Sequence, residues 1–151
     1  MTGVLRSAGV LAFVLTAVTP LSAQQALPAG RIKTVSGTAF VVREHGTTSA
    51  ARAGDAIFAS DTLRTSSDGA VGVTMRDDTR LSLGPNSEVR VDRYVYAPGE
   101  GGLGMVLKFI RGVAVYVSGR MAKLAPDSVR LETPSGIVGV RGTTVAIRVE
   151  P

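Results

Sequence analysis

The sequence has no cysteine, no tryptophan, a single histidine (His45) and only seven Phe and Tyr residues in 151. Without cysteine there is no disulfide, no thiol nucleophile and no thiolate metal site. Without a second histidine or any thiol beside it, His45 cannot anchor a typical zinc site, and Ser87 and Ser135 have no histidine relay for acyl transfer. Lys and Arg exceed Asp and Glu by 17 to 12, a formal charge of +5. No two basic residues are adjacent, however, and most alternate with apolar ones, so the clustered charge and interleaved aromatics of a nucleic-acid binder are absent. The composition argues against an enzyme and implies no cofactor and no metal.

The first 23 residues differ from the rest. Arg6 is their only charge, Ala8 to Val18 is apolar apart from Thr16, and Leu21-Ser22-Ala23 offers a small residue for cleavage. This reads as a secretory signal peptide over 1–23. The run is too short for a membrane span, which needs about 20 apolar residues. A flexible leader is expected over 24–30, followed by one domain over 31–150 and an exported, periplasmic product with no membrane span after cleavage.

Beyond residue 23, Val, Ile and Thr number 33 against ten Glu, Lys and Gln, a balance that favours strands over helices. Alternation of period two recurs in short segments. Val71, Val73 and Met75 share one face, as do Leu81 and Leu83, then Val89, Val91 and Val95, then Val113, Val115 and Val117, then Val129 and Leu131, and finally Val145, Ile147 and Val149. Turn signals separate these segments, among them Gly54-Asp55, Asp77-Asp78, Gly84-Pro85-Asn86 and Pro134-Ser135-Gly136. The pattern predicts an all-β single domain of short strands, a two-layer sandwich or a short solenoid-like sheet assembly. Gly119 to Leu124 can form one helical turn that Pro126 stops.

Two motifs are misleading. Gly99 to Gly104 satisfies G-x-G-x-x-G, but the β-branched, Gly-broken segment after it offers no helix to hold a pyrophosphate, so the stretch is read as a hairpin loop. Asp55, Asp61, Asp68, Asp77 and Asp78 could suggest calcium. They lack EF-hand spacing and mostly stand beside turn residues, which points to turn capping. Adjacent Asp77 and Asp78 point apart, a poor geometry for acid/base work.

The ordered series of turns and strands resembles the FecR protein family. It runs from Val35-Ser-Gly37 through Gly54-Asp55, Ser60 to Thr65, Asp68-Gly-Ala70, Met75 to Leu83, Pro85-Asn-Ser87, Ile110-Arg-Gly112 and Thr133-Pro134 to Val140-Arg-Gly-Thr-Thr-Val145. In these pieces Gly54, Gly69 and Gly142 mark tight turns, and Thr65 and Thr143 can tie loops to neighbouring strands. Asp78 stands where the family usually has Gly, so this turn must tolerate an Asp in the left-handed region. Classical members join this periplasmic module to a membrane helix and a cytoplasmic sigma-regulating segment. This chain departs from that pattern, with a cleavable signal expected where those parts would be, so a stand-alone periplasmic module is expected.

The function expected is noncatalytic protein–protein interaction or signalling in the cell envelope, with Arg76, Arg80, Arg90 and Arg93 as candidate partner-binding residues. The partner would be an envelope protein or glycan. The alternative is a carbohydrate or peptidoglycan binding module with a groove lined by Asp77, Asp78 and Tyr94 or Tyr116. The oligomeric state is open, and an assembly of stacked copies is a third reading.

Overall fold

A computed structural model describes Gly3, residues 25–142 and residues 144–151; the expected signal peptide and Thr143 otherwise lie outside the described residues. The chain is all-β. Its strands are β1 (Gly30–Ser36), β2 (Ala39–Val42), β3 (Thr48–Ala50), β4 (Ala56–Ile57), β5 (Thr62–Thr65), β6 (Ala70–Met75), β7 (Arg80–Leu83), β8 (Glu88–Ala97), β9 (Gly102–Val117), β10 (Val129–Thr133), β11 (Gly136–Gly139) and β12 (Thr144–Val149). One short helix, α1 (Arg120–Leu124), follows β9 where a single turn was expected. Ordered pairing begins inside the segment expected as a leader, because Ala29 is buried and donates its amide to the Ile57 carbonyl at 2.7 Å.

All strands belong to one curled sheet, antiparallel except where β10 runs parallel to β9. The layers are thus two halves of a continuous sheet, joined through the sixteen-residue β9. The first part of β9 lies between β8 and β10, and beyond β8 come β5, β2 and β3. Its last part, Gly112 to Val117, lies between β7 and β12, and beyond β7 come β6, β1 and β4. One apolar cluster serves both halves: Val89, Leu107 and Phe109 from the first meet Ile32, Leu81 and Tyr116 from the second. Each such side chain contributes about 1.5–3 kcal/mol on burial, which lets the domain cohere without a cross-link.

Most of the alternation is as the sequence predicts: Val71, Val73, Met75, Leu81, Leu83, Val129 and Leu131 all face the core. Two segments are corrected. In β8 a register shift between Val91 and Arg93 adds one residue, so Tyr94 turns inward and Val95 is exposed. In β9, Val89 pairs with Phe109 and Glu88 with Arg111, leaving Ile110 as the extra residue. Odd positions Met105, Leu107 and Phe109 face inward before that bulge, and even positions Ala114 and Tyr116 after it. Val113, Val115 and Val117 therefore lie on the outer face, because one inserted residue exchanges the two faces of a strand.

Gly112 makes this corner. Its φ is +87°, and a Cβ there would lie 2.3 Å from the Ser87 Oγ and 2.5 Å from the Asn86 carbonyl oxygen. Only glycine meets both demands.

Candidate functional site

The residues that looked most like chemistry form the polar skeleton of the core. Asp77 lies in the turn between β6 and β7 and is fully buried. Its Oδ1 accepts hydrogen bonds from the Tyr94 hydroxyl at 2.9 Å and the Thr79 amide at 3.3 Å. Its Oδ2 accepts from the Thr79 hydroxyl at 2.7 Å and the Met121 amide at 3.2 Å. The Asp77 carbonyl also accepts from the Arg120 amide at 2.7 Å. One side chain thereby closes its own turn, anchors β8 and supplies an acceptor to the free amides at the start of α1. Gly119 must come close for this, since a Cβ on it would lie 2.3 Å from the Thr79 nitrogen and 2.4 Å from the Asp77 carbonyl oxygen.

Burial pushes the Tyr94 hydroxyl well above the ordinary tyrosine pKa, and the negative charge of Asp77 adds to the effect. Tyr116 is shifted the same way, again chiefly by burial. Asp77, Tyr94 and Tyr116 are all core residues, so the open groove expected from Asp77, Asp78 and either tyrosine does not exist. The apolar surroundings and mutual hydrogen bonds explain why. Asp78 points outward and pairs with Arg120 at 3.2 Å. Its φ of +67° is the left-handed conformation expected where the family usually has glycine.

The remaining acidic residues are local ties. Asp55 accepts from the Arg52 amide at 2.8 Å, Asp61 from the Phe58 amide at 2.8 Å and from the Arg43 guanidinium, and Asp68 from the Thr38 hydroxyl at 3.2 Å. Among the described residues no group of three acidic or histidine side chains could hold a metal ion. His45 is exposed at the tip of the β2–β3 hairpin.

Ser87 is equally structural. Its hydroxyl donates to the Val113 carbonyl and accepts from the Val113 amide, both at 2.9 Å. Thr65 Oγ1 donates to the Gly84 carbonyl at 2.7 Å and accepts from the Ser87 amide at 2.9 Å. The sequence pieces around Thr65, Pro85-Asn-Ser87 and Gly112 thus converge on one corner. Gly99 to Gly104 joins β8 to β9 as a hairpin. Gly69 is excluded from carrying a side chain by space, with the Thr38 carbonyl oxygen 2.1 Å from its would-be Cβ, whereas Gly54 and Gly142 have open space but positive φ.

What remains for recognition is the surface. The four candidate arginines are spread over both halves of the sheet. Arg80 is exposed on the outer face of β7. Arg76, just after β6, reaches over the Tyr94 ring of β8, 5.6 Å from its centroid. Arg90 and Arg93 project from β8 in the other half, where Arg90 pairs with Asp92 at 3.2 Å and the Arg93 guanidinium lies across Gly104. Sequence reasoning missed a second feature, the edge strand β11. Among the described residues it pairs with β10 on one side only, and Ile137 and Val138 are 63% and 37% exposed. Its only sequence signal is an Ile-Val pair held between two glycines.

Comparison with known proteins agrees with the turn and strand motifs from Asp61 onward. A family model described as FecR protein matches residues 61–151, from the turn before β5 to the end of the chain. No curated protein and no solved structure matches the chain. Among the described residues no helix is long and apolar enough to cross a membrane.

Proposed function

The chain belongs to the FecR protein family, a regulatory family of cell-envelope signalling, and from that membership we propose that it is a noncatalytic periplasmic module that acts by holding a protein partner. The observation that carries this reading is β11. An edge strand presents unpaired backbone N–H and C=O groups, and proteins ordinarily blunt such edges with charge, proline or a covering loop. Here Gly136 to Gly139 has no charge and no proline, is exposed along its length among the described residues, and presents two aliphatic side chains. An extended segment of another protein can add to such an edge, taking affinity from the backbone and selectivity from contacts with Ile137 and Val138. The buried polar groups around Asp77, Thr65 and Ser87 are engaged in holding the sheet, consistent with a role in binding and not in turnover.

The test is affinity capture from envelope extract with the exported protein and its Ile137→Lys variant. A lysine on an exposed edge opposes strand addition, so the variant should lose the specifically captured protein while keeping its β circular dichroism. Retention on purified peptidoglycan with no protein partner would replace this reading with the glycan-binding one.

A further inference from the structure

We propose a second interaction surface, separate from the β11 edge: the outer face of the sheet half formed by β12, the end of β9, β7, β6 and β1, which docks a protein surface with an acidic rim.

The register places small and apolar side chains in rows across this face. Ser82, Val115 and Ala146 stand side by side on β7, β9 and β12, as do Arg80, Val117 and Thr144. Further along the sheet, Thr34 meets Gly72, where a Cβ would lie 2.5 Å from the threonine hydroxyl. Val115 is 40% exposed at the centre. A flat β face with no long side chain in its middle allows a second element to approach closely.

The charge within the strands beside that strip has one sign; the nearest exposed carboxylates, Asp78 and Glu150, lie just past the strand ends, and Asp78 is already engaged by Arg120. Within the strands of this half the charged residues are Arg31, Lys33, Arg80 and Arg148, with no Asp or Glu. None of the four takes part in an ion pair among the described residues; Arg31 instead donates to the Gly54 carbonyl at 3.1 Å. The other half is wired differently. There Glu88 pairs with Arg64 and Arg111, Asp92 with Arg90 and Glu132 with Lys108. The strands of this half therefore carry four basic side chains that no carboxylate pairs with among the described residues.

This arrangement selects the occupant. A second copy stacked face to face would set arginine against arginine, and like charges juxtaposed in an interface are strongly unfavourable. A lipid surface calls for aromatic or long aliphatic side chains that insert, and a glycan for aromatic platforms; the rows across this face hold only Val, Ala, Thr, Ser and Gly between the arginines. An acidic-rimmed protein surface satisfies both the flat centre and the cationic margin.

The test is zero-length carbodiimide crosslinking of the exported protein in envelope extract, with mass spectrometry of the peptides joined to Lys33. The expected product links the Lys33 amine to a carboxylate of another polypeptide. Its yield should fall about tenfold in the Arg80→Glu, Arg148→Glu double variant and about tenfold when salt rises from roughly 0.05 to about 0.5 M. Arg93→Glu, on the other half, should leave it unchanged. Ile137→Lys should also leave it unchanged, so failure of the edge reading and failure of this one are separable. Lys33 joined to a second copy of this chain, charge-dependent co-sedimentation with phosphatidylglycerol vesicles in place of the crosslink, or no Lys33 product at all would each overturn the proposal.

Discussion

Replacing Asp77 by Asn tests whether the buried carboxylate is the tie that the geometry describes. Four donors converge on it, two on each oxygen: the Tyr94 hydroxyl and Thr79 amide on one, the Thr79 hydroxyl and Met121 amide on the other. An asparagine supplies one acceptor oxygen. Whichever way its amide is turned, an NH2 group faces a backbone amide, that of Thr79 or that of Met121, which cannot reverse to accept from it in this buried site. A buried donor left without a partner costs about 1–3 kcal/mol, and the surviving bonds lose the strength that an ionised acceptor gives them. The loss should be about 2–4 kcal/mol, a large share of the roughly 5–15 kcal/mol of an ordinary domain. Asp78→Asn is the control, the same chemical change one residue on. Its carboxylate is exposed, its ion pair with Arg120 is on the surface, and Asn tolerates the left-handed backbone, so the change should stay within about 0.5 kcal/mol. Urea unfolding followed by circular dichroism measures both. Equal stability of the two variants, or an Asp77→Asn loss below about 1 kcal/mol, would refute the argument. A double-mutant cycle with Tyr94→Phe should return a coupling of about 1 kcal/mol or more, since the two side chains share a hydrogen bond.

Two further outcomes follow from the same skeleton. Gly112→Ala should cost about 3 kcal/mol or more, because it combines a positive φ with a Cβ placed against the Ser87 and Asn86 backbone; thermal unfolding reads this, and an unchanged midpoint would mean the corner is not strained. Tyr94 and Tyr116 both ionise less readily in the folded chain than the ordinary tyrosine value of 10.0. Their contribution is therefore fully present below about pH 10 and is lost as pH rises above it, when the unfolded chain ionises first. Urea midpoints compared at about pH 9 and about pH 11 should drop more for the wild type than for Tyr94→Phe, and an equal drop would remove the tyrosine from the account.

Strand content, the core faces of β6, β7 and β10 and the corner around Asp78 were legible in the sequence, because each depends on local chemistry: β-branched side chains, period-two alternation and turn residues. The family resemblance was legible for the same reason, since its motifs are runs of turn and core residues. The faces of β8 and β9 were not. An extra residue at Ile110 or near Asp92 leaves no mark in the alternation of the strand that carries it, since a bulge is defined by the partner strand.

The sequence alone settled that this chain builds an all-β, cysteine-free core of the FecR family, since composition and turn chemistry act within a few residues. Which of its charges meet partners, which carboxylate is buried and which valines face water depended on segments 17 to 44 residues apart being brought together. Only the curled sheet decides those, because register, burial and ion pairing are properties of neighbours in space.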